Sequence, residues 1–224
     1  LYNSANIVVF VNIGDFFEAV GKCLEYGSLY LCISYDTDLL ALEGIVPYAS
    51  KWIEFAGRKQ NLTIELRTKS ANYGAIRGLK PVEQVVLAWS VSPQEVARRY
   101  ERQVPPLETR LLAAKAAAED GWQVRLCFEP VLRIKNWQKI YADFVDNVFA
   151  TIPADGIFDA NIGIFRMNKE QFKRISRSRL DTDIFAQSMM HSDKGVMSYA
   201  EDGQMKDFMY RQLARYLPEE KIYV

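Results

Sequence analysis

Leu31-Cys32-Ile33-Ser34, Leu66-Arg67-Thr68-Lys69 and Ala88-Trp89-Ser90-Val91-Ser92-Pro93 are the stretches that decide the fold. Each closes a β-like run on a polar or thiol residue. The middle run is the plainest: Leu62, Ile64 and Leu66 alternate with Thr63, Glu65 and Arg67, the period of a strand. Its neighbours are runs at 29–34 and 84–90. In a parallel α/β barrel the C-terminal ends of successive strands surround the active site. Cys32, Ser34, Lys69 and Ser90 are therefore expected on one rim: a thiol, an ammonium and two hydroxyls.

On either side, strand-like and helix-like patterns continue to alternate. An apolar run at 7–11 reads as a strand, and 15–26 as a helix capped by Asp15. That helix carries Phe16, Val20 and Leu24 on one face and stops at Gly27. A second helix is expected at 44–55, ending near Gly57, and Pro93 opens a short one through Arg99. After Pro105-Pro106, residues 107–120 give the clearest helix, with Leu107, Leu111, Ala114 and Ala118 in one stripe and Gly121 at its end. A strand at 122–128 precedes a helix capped by Asn136 that carries Trp137, Ile140, Tyr141, Phe144 and Val148. A strand at 156–164, a helix at 169–178, an irregular stretch at 179–200, a helix at 202–216 and a last strand at 222–224 complete the chain. Repeated β-then-α order implies right-handed crossovers and a parallel sheet. Too few strands are present to close the usual eight-stranded barrel. The expected fold is an α/β, partial (β/α)6 barrel of parallel strands with a C-terminal helical extension. No repeat or linker divides it, so 1–224 reads as a single domain.

Composition narrows the function classes. The chain has 224 residues, 49% of them hydrophobic, enough for one good core. Lysine plus arginine equals aspartate plus glutamate at 28 each, so a polyanion site must be a local patch. One such patch exists: Arg166, Lys169, Lys173 and Arg177 recur at helical spacing, with Arg174 and Arg179 nearby and only Glu170 opposing them. Such a stripe neutralises phosphates, and it is equally the solvated face of a barrel helix. Tyr199, Tyr210 and Tyr216 suit base stacking or core packing. No apolar run approaches the ~18 residues a bilayer span needs, and the start does not read as a secretory leader. Cys23, Cys32 and Cys127 are too widely spaced for a disulfide framework or metal knuckle, which points to the reducing cytoplasm. The one histidine, His191, removes most His-based metal and triad chemistry. The chain opens without methionine just before an apolar run, and reads as a piece of something longer.

The segments 29–36, 62–69, 84–93 and 107–130 resemble the spore photoproduct lyase family of radical S-adenosylmethionine enzymes. The longest similar stretch runs from Trp89-Ser90-Val91-Ser92-Pro93 through Arg110-Leu111, Ala113-Ala114-Lys115 and Gly121-Trp122 to Phe128-Glu129-Pro130. The resemblance covers roughly residues 7–165 and fades beyond them. It implies a 4Fe–4S cluster held by a C-x3-C-x2-C loop, with S-adenosyl-L-methionine on the open iron. No C-x3-C-x2-C occurs here, so the cluster ligands are not in this chain and the loop is expected upstream of it. This chain alone is therefore expected to be inactive.

Residue by residue, Cys32 falls where the family places the cysteine that returns a hydrogen atom to the product radical. The run here is Cys32-Ile33-Ser34-Tyr35-Asp36, with Ser34 kept and the acidic residue one place later. Taken from the residues alone, Cys32 is equally a small buried hydrophobe. Lys69 matches a lysine implied to hold the carboxylate or ribose of S-adenosyl-L-methionine, and Ser90 and Ser34 match serines with similar roles. A loop cation and turn serines are the plainer readings. Glu129 points at the same rim, where the family usually has a small residue. The family's lesion-binding motifs survive only as fragments, Ile162-Gly163-Ile164-Phe165-Arg166 and His191-Ser192-Asp193-Lys194-Gly195.

The resemblance implies a cytoplasmic radical lyase of DNA repair that splits a thymine–thymine photoproduct through a 5′-deoxyadenosyl radical. The alternative is a non-catalytic nucleic-acid-binding module that keeps the barrel. A hydrolase using Asp36 and Glu129 is a third reading, resting on a carboxylate separation that sequence does not supply.

Overall fold

Residues 8–11 of the strand expected at 7–11 form no strand. The computed structural model describes residues 8–34, 37–101, 103–178, 183–186, 188–191, 195–200 and 202–224, and in it residues 8–12 have no regular structure. Val8, Phe10 and Val11 face solvent. An apolar run becomes a strand only beside an edge that takes up its backbone hydrogen bonds, and no described strand pairs with this one. Ile7, Tyr35, Asp36, Arg179 and Ser192-Asp193-Lys194 lie outside the described residues.

In chain order the elements are α1 (Ile13–Leu24), β1 (Leu29–Cys32), α2 (Leu39–Leu42), α3 (Tyr48–Ala56), β2 (Leu62–Thr68), β3 (Val85–Val91), α4 (Gln94–Tyr100), α5 (Leu107–Glu119) and β4 (Gln123–Val131). They continue with α6 (Trp137–Thr151), β5 (Asp159–Ile164), β6 (Arg166–Asn168), α7 (Lys169–Ser178), β7 (Met189–His191), β8 (Val196–Tyr199), α8 (Asp202–Leu213) and β9 (Ile222–Tyr223). One sheet has the order β1-β2-β3-β4-β5-β9. Its β1–β2, β2–β3 and β5–β9 pairs are parallel. This is the topology of the expected partial (β/α)6 barrel, with β9 rather than 7–11 supplying the sixth strand. The C-terminal extension is not only helical: β6, β8 and β7 form a second, antiparallel sheet of three strands. Its strands β7 and β8 fall inside the stretch expected to be irregular.

Two compact units make up the chain, one of Leu1–Trp89 with Glu108–Arg125, the other of Ser90–Leu107 with Leu126–Val224. In the first, the expected 44–55 helix is broken. Gly44 and Pro47 separate α2 from α3, and the buried Glu43 carboxylate caps α3 by accepting from the Ala49 and Ser50 amides at 2.8 and 3.1 Å. Helix α1 starts after Asn12 rather than Asp15, the Asn12 amide donating to Asp15 at 2.8 Å. Its packing residue is Phe17, not Phe16. The Phe17 ring stacks on Phe55 at 4.4 Å and meets Trp52 edge-on at 4.8 Å. The apolar face of β2 is fully buried, with α3 packed on the strand. Trp89 is also fully buried, and its indole N–H is satisfied by the Ser70 carbonyl at 3.0 Å. Each such large side chain contributes ~1.5–3 kcal/mol of burial.

In the second unit Tyr141, Phe144 and Val148 of α6 are buried as expected. Tyr141 accepts from the Leu132 amide at 2.8 Å. Helix α8 closes over α6 through Trp137 against Phe208, and Tyr216 beyond it stacks on Phe149. Asn136 stands at the start of α6 in left-handed backbone, but its side chain makes no capping bond.

Candidate active site

The polar face of β2 is where the first unit concentrates its chemistry. Glu65 and Arg67 are two residues apart on a strand and so share one face. The parallel register sets Cys32 of β1 beside Glu65 and Tyr30 beside Thr63. Glu65 is 2% exposed. Its Oε1 accepts from Arg67 Nε at 2.8 Å and Nη2 at 2.6 Å. Its Oε2 accepts from the Tyr30 hydroxyl at 2.7 Å and from Arg125 Nη1, on β4, at 2.6 Å. Arg125 Nη1 also reaches the Tyr30 oxygen at 2.6 Å. Cys32 Sγ lies 3.9 Å from Glu65 Oε1, within reach of a weak S–H···O contact.

One carboxylate thus faces two guanidiniums, a phenol and a thiol. Burial pushes the Glu65 carboxyl up, but the Tyr30 hydrogen bond, Arg67 and Arg125 outweigh it and hold the group below the usual carboxylate range. Burial, then the neighbouring Glu65 charge, pushes the Tyr30 phenol well up, so it stays a neutral donor. In the sequence, Thr63, Glu65 and Arg67 show only the alternation of a strand and not what covers their face. In a parallel sheet of this kind both faces are covered. The available signal was a charged pair, Glu65 and Arg67, two residues apart on one strand, with Tyr30 on the strand beside it.

At the C-terminal end of β2, Asp38 organises the loop. Its carboxylate accepts from the Thr68 hydroxyl at 2.7 Å, the Lys69 amide at 2.8 Å and the Ala41 amide at 3.0 Å, which also caps α2. Asp38 was not singled out from sequence. Lys69 is half-buried with its backbone fixed by that bond. Ser34 is buried, and its hydroxyl donates to the Arg67 carbonyl, stitching β1 to β2. The structure therefore brings Cys32, Ser34 and Lys69 to neighbouring strand ends of the first unit. Ser90 is buried and begins the second unit. Two residues on, Ser92 is 1% exposed and its hydroxyl has no hydrogen-bond partner among the described residues.

The basic residues are divided between two elements. Lys169, Lys173 and Arg177 lie on α7 at one-turn spacing, whereas Arg166 is exposed on β6 and not on the helix. Lys173 pairs with Glu170 at 3.3 Å. Glu129 of β4 lies against Gly163 of β5, where a side chain would collide with it.

The thiols do not fit a cluster site. Cys23 is exposed on α1, Cys32 half-buried on β1 and Cys127 buried on β4, and no three metal-ligating side chains come together among the described residues. S-adenosyl-L-methionine is better served. A carboxylate or a ribose hydroxyl suits the half-buried Lys69 ammonium of the first unit. Among the described residues no helix is long and apolar enough to cross a membrane.

Solved structures of spore photoproduct lyase share this fold. A cysteine-to-alanine variant matches with a TM-score of 0.85 at 16% identity, over 96% of this chain and 67% of that one. A doubly substituted variant with bound AdoMet and dinucleoside spore photoproduct matches at 0.83 and 17% identity over the same shares. The enzyme complexed with dinucleoside spore photoproduct matches at 0.82 and 18%, again over those shares. No curated protein matches the sequence. The model of the spore photoproduct lyase family matches residues 1–224, from one end of the chain to the other. The chain belongs to the spore photoproduct lyase family.

Proposed function

We propose that the protein is a radical S-adenosyl-L-methionine lyase of cytoplasmic DNA repair that splits a thymine–thymine photoproduct, with Cys32 as the hydrogen donor. The observation that carries this reading is the placement of Cys32. It is a half-buried thiol at the end of a barrel strand, held beside a fixed carboxylate. When bound, S-adenosyl-L-methionine supplies the 5′-deoxyadenosyl radical that takes a hydrogen atom from the substrate. Ser34 and Lys69 of the first unit and Ser90 of the second are proposed as its contacts, each on its own match to the family. Among the described residues no three metal-ligating side chains come together, so no step is assigned to a 4Fe–4S cluster.

The chain's own chemistry comes at the end of the reaction. The Cys32 S–H bond breaks homolytically, a C–H bond forms on the product radical, and the odd electron is left on sulfur. The test uses the protein from its complete reading frame, reconstituted anaerobically with iron and sulfide and given dinucleoside spore photoproduct. Cys32→Ala is expected to cut the yield of intact thymine product at least ten-fold and to divert substrate into other products. Unchanged yield and product distribution would falsify the assignment.

A second reading, a nucleic-acid-binding module without radical chemistry, is favoured by one observation. Lys173, Arg174 and Arg177 are exposed together on α7 and Arg166 on β6, and together they would engage DNA phosphates.

A further inference from the structure

We propose that Glu65 is a positioning residue for Cys32: it neutralises Arg67 and Arg125 beside the thiol and so keeps the sulfur in its hydrogen-bearing form. The inference rests on the reading of Cys32 as donor and explains what the buried cluster contributes to that role. A thiolate has no hydrogen atom to give. Positive charge near a cysteine favours the thiolate, and a carboxylate opposes it.

The geometry places both influences on one spot. Glu65 Oε1, 3.9 Å from Cys32 Sγ, is also the oxygen that receives both bonds from Arg67. Arg125 holds the other oxygen. Tyr30 shares the β1 face and is locked to Glu65 as a neutral donor. The next carboxylate along, Asp38, is turned to Thr68, to the Lys69 amide and to α2. With Glu65 charged, the set carries one net positive charge; with Glu65 neutral it would carry two. The Glu65 side chain is 3% exposed and that of Arg125 14%, so water does little to screen the difference.

The test is alkylation of Cys32 by iodoacetamide across a pH series, resolved by peptide mass spectrometry, with exposed Cys23 as internal reference. It needs neither S-adenosyl-L-methionine nor substrate. Glu65→Gln is expected to lower the midpoint of the Cys32 profile and speed labelling near pH 7 about five-fold. Arg67→Gln, which removes a positive charge, is expected to move the midpoint the other way. A loosened structure would raise rates across the whole series and leave the midpoint in place, so the midpoint separates charge from access. An unmoved midpoint in folded Glu65→Gln, or a downward shift in Arg67→Gln, overturns the proposal. If Glu65→Gln fails to fold by circular dichroism, Arg67→Gln decides: an upward shift supports it, and no shift or a downward one defeats it. The donor reading fails separately, if Cys32→Ala keeps the normal product while these midpoints move as expected.

Discussion

Gly163 shows how single residues settle local structure at the strand ends. A Cβ at this position would lie 2.6 Å from Glu129 Oε2 and 2.8 Å from Glu129 Cβ. The carboxylate tip swings aside cheaply, but the Cβ is fixed to the β4 backbone. Gly163→Ala is therefore expected to cost ~1–3 kcal/mol in denaturant unfolding, the usual penalty for overpacking. In a Glu129→Gly background, which lacks that Cβ, Gly163→Ala should cost little. If it costs as much there as beside Glu129, Glu129 is not the obstacle. Glu129 was visible in sequence as a rim carboxylate; its pairing with Gly163 was not, because that depends on which residues of β4 and β5 come opposite each other. Phe16 and Phe17 teach the same lesson. Adjacent phenylalanines on one helix differ by about 100° in direction, and only the position of Trp52 and Phe55 decides which is covered.

Elements were more legible where their pattern was long. Helix α5 ends before Gly121, whose φ of +95° is the left-handed backbone that glycine takes without strain. Its buried stripe is Leu107, Leu111 and Ala114 as read, with Ala117 in place of Ala118. Helix α7 was read at its full extent, but β6 was not. Three residues pairing antiparallel with β8 carry too little pattern to show, and the same holds for β7. This changes the geometry of any DNA contact, because Arg166 reaches out from a strand and the other three cations from a helix. Charge reversal at Lys169 and Lys173 together should weaken duplex DNA binding at least ten-fold in fluorescence anisotropy without iron, and flatten its salt dependence. Affinity that survives this change would count against α7 as the contact surface.

For the molecule as a whole, the single domain read from sequence remains our proposal. The boundaries between the two units fall at Trp89–Ser90, inside β3, at Leu107–Glu108, in the first turn of α5, and at Arg125–Leu126, inside β4. Elements that continue from one unit into the next are expected to order and melt as one. Calorimetry of this chain should show a single transition whose calorimetric and van't Hoff enthalpies agree. Two resolved transitions would divide it into separate domains. The alternation of strand and helix was legible because it repeats along the chain. The main sheet has six strands, and of the runs read as strands it takes in the short one at 222–224 and not the apolar one at 7–11.

The cluster around Glu65 also bears on how this sequence drifts through descent. Removing one member of a buried ion group costs ~3–5 kcal/mol, because the partners left behind keep their charge and lose what that member offset. Loss of Glu65 leaves two guanidiniums; loss of Arg125 deprives both Glu65 and Tyr30 of a partner. A lineage therefore keeps Tyr30, Glu65, Arg67 and Arg125 together or exchanges several of them at nearly the same time. Homologues in which position 65 has become apolar should have replaced the arginines too, making the four positions a signature that is inherited as a block.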